Sequence, residues 1–440
     1  MDETKKPQNK KMIDPELPGG FRDALPEDAI AKEAMIEIVK GVYERFGYDP
    51  MQTSAIERTE VLTGGESESA KIIFNVKGSR DEADSSDTSF DKAQDKSLRF
   101  DLTVPLARVL AKNPDIAKPF KRYQIAKVWR GERSQAGRYR EFIQADIDIL
   151  GVKSPDADAE IIQVMYETMK ALGIDEFMIR LNNKEEALKL LDEVGVPEDR
   201  TMATLIAVDK KDKILPDEWA DEVAGASGLE DEKLKEYLWK ISGENLLDST
   251  SIRELRQKVE AFGVPQKYLI YDASLVRGLG YYTGTVFEIL LTDLPNIGTI
   301  FAGGRYDGLT NRFSKDSTPA VGASLGIDRL YAALETIGTI QKRKTLVQVL
   351  IFNLADEFAS DYARFASATR AYGINTALYL GDDRAFQNQL AYAVKKEIPF
   401  ILLYGEKERA SGKIEIKDLR SGKQESVEEK DLAAYIKTRL

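Results

Sequence analysis

Between Glu141 and Leu150 apolar and polar side chains alternate: Ile143, Ala145, Ile147 and Ile149 fall on one face, Gln144, Asp146 and Asp148 on the other. A period of two is that of a β-strand. Tyr123–Arg130 has a similar composition, and the hydrophilic stretch between the two predicts a hairpin. Alternation recurs at Leu98–Val104, where Arg99, Asp101 and Thr103 share one face and Leu98, Phe100, Leu102 and Val104 the other. A half-exposed antiparallel sheet accounts for such patterns without any function.

Elsewhere the period is helical. Pro26-Glu-Asp-Ala predicts a helix start, with Ile30, Ala34, Ile38, Val42 and Phe46 as its apolar stripe and Gly47 as its stop. Ser154–Leu172 predicts a second helix. From about 183 to 267 the chain is charged and helical in period, which predicts polar, solvated helices. Gly78–Ser97 is rich in Ser and Asp without apolar period and predicts a loop. After about Thr345 apolar strands alternate with helices: LVQVLIFNL, DEFASDYARFASATRAYG, NTALYLG, AFQNQLAYAVKKEI, PFILLYGEKE and KIEIKDLRSG. That order predicts a parallel or mixed sheet in a separate small α/β domain.

At 440 residues the chain has room for two or three domains, each with a core. No apolar run approaches a membrane span, and residues 1–12 read as a polar, flexible leader, so a cytoplasmic protein with no membrane role is expected. The net charge of −11 argues against whole-surface binding of nucleic acid but not against local binding. Cations do cluster: Lys121–Arg140 sets seven of them (Lys121, Arg122, Lys127, Arg130, Arg133, Arg138 and Arg140) against the single acid Glu132. A basic hairpin with a polar strand behind it suits a polyanionic substrate. The chain has no cysteine and no histidine. Disulfides, thiolate or imidazole metal sites and the usual general base are thereby excluded, and no metal site is expected. Chemistry whose nucleophile is an already ionised carboxylate fits that restriction.

Five segments in order carry a resemblance: LRFDLTV, the Arg130 hairpin, Arg277-Gly-Leu-Gly-Tyr-Tyr-Thr-Gly284, Ala302-Gly-Gly-Arg-Tyr-Asp-Gly308 and Gly322-Ala-Ser-Leu-Gly-Ile-Asp-Arg329. Together they resemble the class II histidyl-tRNA synthetases over nearly the whole chain. The resemblance implies an α+β catalytic domain built on an antiparallel sheet over residues 13–345, with a helical insertion at about 183–267. It implies a C-terminal α/β anticodon-binding domain over 346–440. The activity implied is ligation of L-histidine to tRNA(His) through a histidyl-adenylate, with ATP and Mg2+. The first helix would lie at a homodimer interface. Ser54 stands near a position where the family usually has proline, and Gly280 stands where its first histidine box usually has Asp.

The resemblance also implies roles. Arg130 and Arg277 would flank the α-phosphate as catalytic arginines and touch histidine. Phe142 and Arg329 would stack on adenine, with Glu132 beside it. Asp101, Leu102, Thr103 and Gln144 would receive the amino-acid end of histidine, and Asp148, Tyr281 and Tyr282 its imidazole. Arg133 and Gln135, at the hairpin tip, would meet tRNA. Each has a plainer reading: Phe142 as core, the arginines as surface or salt-bridged groups, Asp148 as a structural partner of a hairpin arginine. Two other functions would suit such a chain. One is a non-catalytic synthetase-like subunit of ATP phosphoribosyltransferase, disfavoured by the retained Arg130, Arg277 and Arg329 and by the C-terminal domain. The other is a class II synthetase for threonine or proline, disfavoured by the two histidine boxes.

Overall fold

The computed structural model describes residues 12–64, 72–77, 95–132, 138–211, 214–242, 250–276 and 282–440. They fall into two compact units, one within residues 1–22 and 35–339 and one within 23–34 and 340–440. Helix α1 (Pro26–Arg45) starts on a proline with Glu27 and Asp28 in its first turn and Arg45 in its last, an order that suits the helix dipole. Gly47, at φ 76°, ends it. Its buried stripe is Ala31, Met35, Val39, Val42 and Tyr43. The stripe expected from sequence is offset from this: Ala34 and Ile38 are exposed.

The next elements are β1 (Asp49–Pro50), β2 (Ile56–Arg58), α2 (Thr59–Thr63), β3 (Phe74–Val76), β4 (Lys96–Leu98) and α3 (Thr103–Lys112). The sequence predicts a loop to Ser97 and alternation to Val104, and both expectations are corrected. Ser97 is buried in β4 and donates to Asn75 Oδ1 at 2.9 Å. The chain turns after Leu98, and Thr103 opens a helix whose Val104 N–H donates to Asp101 Oδ1 at 3.2 Å. Arg99 is held at the turn, donating to the carbonyls of Thr53 (2.8 Å), Ser54 (3.2 Å) and Lys127 (3.0 Å).

The hairpin strands are β5 (Phe120–Trp129) and β6 (Glu141–Leu150), and α4 (Pro155–Ala171) follows, capped by Ser154 Oγ accepting from Asp156 N–H. After β7 (Phe177–Asn183) come five helices: α5 (Lys184–Val194), α6 (Glu198–Val208), α7 (Pro216–Ser227), α8 (Asp231–Ser242) and α9 (Thr250–Ala261). They are more than solvated rods. Leu190, Leu191, Leu205, Val208, Trp219, Val223 and Tyr237 close a core of their own. The unit ends with β8 (Leu269–Tyr271), β9 (Thr285–Leu291), β10 (Phe301–Arg305), β11 (Ala320–Gly326) and α10 (Ile327–Ile337).

Eight strands form one sheet in the order β1-β5-β6-β11-β10-β9-β7-β8, antiparallel except for the edge pairs β1–β5 and β7–β8. Strand β6 is central. From Gln144 to Leu150 it is buried on both faces, so its polar row lies inside the protein. A half-exposed sheet therefore does not explain its alternation.

In the second unit β12 (Val349–Ile351), α11 (Ala359–Ala371), β13 (Thr376–Leu378), α12 (Phe386–Lys395) and β14 (Phe400–Leu403) alternate as the sequence predicts. Strand β14 stops earlier than expected, and α13 (Glu406–Ser411) takes the following residues before β15 (Lys413–Asp418), β16 (Gln424–Glu428) and α14 (Leu432–Lys437). The sheet order is β13-β12-β14-β15-β16, parallel across β12 and antiparallel beyond β14. Phe358, Tyr362, Phe365, Phe400 and Leu402 lie in its core.

Candidate active site

Register places the polar residues of β6 opposite small residues on β11 and a mixed set on β5. Asp148 faces Arg122 on β5 and Gly322 on β11; Asp146 faces Gln124 and Ser324; Gln144 faces Ala126 and Gly326. On β10, Ala302 continues the row of Ser324 and Gly304 the row of Gly322. The glycines are needed for space. A Cβ on Gly322 would collide with Asp148 Oδ1 and come 2.6 Å from the Ile147 carbonyl; one on Gly304 would come 2.6 Å from the Thr285 carbonyl and 2.8 Å from the Tyr282 ring.

Above these rows lies a cavity of about 340 Å³. Arg130, Glu132, Phe142, Gln144, Tyr282 and Arg329 line it, together with Arg138, Tyr139, Ser324 and Asp328. The guanidinium carbon of Arg130 sits 5.2 Å from the centroid of the Phe142 ring, and its Nε donates to the Phe100 carbonyl at 3.1 Å. One bond thus aims the arginine, and the ring face below it is the electron-rich side that favours a cation. Arg329, on the first turn of α10, donates to the Thr299 carbonyl at 2.6 Å. Gln144 Nε2 donates to Ser324 Oγ at 2.6 Å, leaving its buried Oε1 without a protein partner. A buried acceptor left open in a cavity is a place for a ligand donor.

Asp101, Leu102, Thr103 and Asp148 do not line this cavity. Asp148 is 2% exposed and pairs with Arg122 Nη2 at 2.6 Å, while Tyr306 Oη donates to its other oxygen. The partner arginine comes from the basic cluster, but inside β5, not from the hairpin loop. Arg122 also donates to the Leu102 carbonyl at 3.3 Å, which fixes the turn carrying Asp101. Burial dominates the acids here. It pushes Asp101 up to about 6, against the Val104 N–H and the charges of Arg130, Arg312 and Arg122. It pushes Asp146 up to about 7, against Arg122 and with help from Asp148. Burial likewise raises Asp148, with Arg122 and Tyr306 opposing.

Residues 20–330 match the family model for histidyl-tRNA synthetase, and residues 348–439 match that for an anticodon binding domain. The chain belongs to the histidyl-tRNA synthetase family. A histidine–tRNA ligase of Wolinella succinogenes is 37% identical over 453 residues, covering 98% of this chain and 99% of that one. A histidine–tRNA ligase of Clostridium tetani is 37% identical over 456 residues, covering 97% and 99%. The crystal structure of histidyl-tRNA synthetase from Nostoc sp. PCC 7120 matches with a TM-score of 0.84 at 29% identity, over 98% of this chain and 100% of that chain. A Bacillus halodurans C protein, described as an ATP phosphoribosyltransferase regulatory subunit/histidyl-tRNA synthetase, shares the fold at a TM-score of 0.70 and 22% identity, over 87% and 97%.

Arg277, Tyr281, Arg133 and Gln135 lie outside the described residues, as do residues 78–94 of the predicted loop and Gly280. The sequence alone does not mark Tyr139, Asp328, Arg122 or Ser324 as residues of the site. Asp328 and Ser324 stand inside a quoted motif, and Arg122 inside the counted basic cluster, yet nothing in their spacing separates them from surface residues. Among the described residues no group of three or more Asp or Glu is placed to hold a metal ion, and no helix is long and apolar enough to cross a membrane.

Proposed function

We propose that this protein is a histidine–tRNA ligase, joining L-histidine to tRNA(His) with consumption of ATP. The observation that carries this is the full-length likeness to histidine–tRNA ligases in a chain whose cavity holds Arg130 over Phe142. In the first step the histidine carboxylate attacks the α-phosphorus. A carboxylate O–P bond forms, the P–O bond to the β-phosphate breaks, and pyrophosphate leaves. In the second a tRNA hydroxyl attacks the adenylate carbonyl and AMP leaves. The first nucleophile is already ionised, so a chain without histidine needs no imidazole base for it.

Charge develops on the α-phosphate in that step, and a fixed guanidinium aimed there lowers the barrier. Arg130 is our assignment, and Arg277 is assigned the same task. Phe142 and Arg329 take the two faces of adenine, and Glu132 lies beside its amine. Mg2+ would accompany ATP, held mostly by phosphate oxygens and water, and would neutralise charge on the phosphates. The open acceptor of Gln144 and the ring of Tyr282 receive histidine, with Tyr281. Asp101, Leu102, Thr103 and Asp148 support that floor from beneath, through Arg122. The helical insertion and Arg133 and Gln135 approach the tRNA acceptor end, and the anticodon-binding domain holds the other end. We place the protein in the cytoplasm as a homodimer, with the exposed Ala34 and Ile38 of α1 available to a second copy.

Pyrophosphate exchange against all twenty amino acids tests this. Exchange with histidine alone, and charging of tRNA(His), is expected. Exchange with a different amino acid, or none with any, overturns it.

A further inference from the structure

The segment just before α1 reaches the cavity wall. Arg22 Nη1 donates to Tyr139 Oη at 2.8 Å, and its Nη2 lies 3.0 Å from Asp328 Oδ1. The guanidinium carbon also sits 3.8 Å from the Tyr139 ring centroid. Tyr139 and Asp328 both line the cavity; Arg22 does not. The second carboxylate oxygen of Asp328 accepts the N–H of Ile143 at 2.7 Å. Asp328 therefore ties the start of α10 to the start of β6. Its chain neighbour is Arg329, and the chain neighbour of Ile143 is Phe142.

We infer that Arg22 is a positioning residue for the nucleotide slot: by holding Asp328 and Tyr139 it sets the separation of Phe142 and Arg329. This rests on the reading of that pair as the adenine platform. A partly exposed ion pair is ordinarily worth little, because two long side chains rarely stay in one geometry. Here the geometry is over-determined. One planar fork serves two partners on different elements while stacking on a ring, which a flexible ammonium cannot copy. Its backbone is fastened as well. The Gly20 carbonyl accepts Arg140 N–H at 2.9 Å and the Gly19 carbonyl accepts Arg140 Nη1 at 3.2 Å. Gly20 adopts φ 89°, and a Cβ there would come 2.8 Å from the Arg140 side chain, so the close approach requires glycine. Residues 19–22 thus fasten the return of the hairpin and the start of α10.

The test uses the full chain, with ATP as the probe in calorimetry and in histidine-dependent pyrophosphate exchange. Arg22→Gln is expected to raise the Kd and KM for ATP about tenfold or more, the usual scale of a lost charged hydrogen bond. The KM for histidine should stay within about twofold, since the Gln144 side of the cavity is untouched. Arg22→Lys should fall between, because one ammonium can serve one partner. Tyr139→Phe, which keeps the ring and loses the acceptor, should shift ATP less than Arg22→Gln. A parallel rise in both KM values, or no change in either, overturns the inference. If Arg22→Gln does not fold, Arg22→Lys and Tyr139→Phe carry the same comparison. If the unmodified protein shows no histidine-dependent exchange, the proposed function fails, and ATP calorimetry alone still decides the role of Arg22.

Discussion

Arg122 and Asp148 face each other across β5 and β6, 2.6 Å apart, with side-chain exposures of 0% and 3%. The pair lies under the candidate histidine floor, and it explains why an acid of β6 can remain inside the protein. Two buried charges gain little over a well-packed apolar pair, but removing one strands the other. Asp148→Ala should therefore cost about 3–5 kcal/mol of stability, read from urea unfolding. Arg122→Leu combined with Asp148→Leu should lose less than Asp148→Ala alone, because no charge is then left unpaired. A single variant as stable as the parent would show that the pair is not closed in solution.

Asp146 sets the direction of a pH effect. An aspartate in the unfolded chain titrates at about 4, whereas burial, helped by Asp148 and Asp101 and opposed by Arg122, pushes Asp146 up to about 7. Between those values the folded protein keeps a proton that the unfolded chain has released. The contribution is full below pH about 4 and is lost as pH rises through about 7. Asp146→Asn should flatten the fall in stability between these limits, as measured by urea midpoints across the range. A variant with the parent's slope would assign the dependence to other groups.

Gly322 provides a steric test of the floor. Its missing side chain is the space that Asp148 Oδ1 occupies, with the Ile147 carbonyl beyond it. Gly322→Ala should cost about 1–3 kcal/mol, as overpacking in a close-packed interior does. It should also raise the KM for histidine, because Asp148 must move and Arg122 with it. Unfolding curves and exchange kinetics read the two effects separately.

Arg130 carries the chemical prediction. Arg130→Ala removes the group seated over Phe142 and should lower the rate of pyrophosphate exchange by about a hundredfold to a thousandfold, the scale seen when one oxyanion donor is lost. The thermal midpoint should shift little, since the bond it gives up, to the Phe100 carbonyl, lies at the cavity edge. A normal rate would remove Arg130 from the mechanism.

The local elements were readable from the chain because their causes are local. Pro26 with Glu27 and Asp28 starts α1 and Gly47 stops it; Ser154 caps α4; alternation at period two marks β6. The order of the motifs was sufficient to suggest the family, since five short patterns in sequence rarely recur together. What local pattern cannot state is which face of a strand meets what. The row Gln144, Asp146, Asp148 reads the same on a solvated sheet as on a buried one. Only the placement of β11 beside β6, bringing Gly322 opposite Asp148 from 174 positions further along the chain, decides that the row is internal. The same holds for Thr103: alternation predicts a strand, but Asp101 Oδ1 accepts the Val104 N–H and a helix begins. Sequence determined most of the elements, their order and the chemical types available, because these follow from propensity, periodicity and composition. Tertiary structure decided that Asp148 pairs with Arg122 below the cavity and that Arg22 reaches Asp328 across 306 positions, because hydrogen bonds and ion pairs depend on distances that spacing along the chain does not encode.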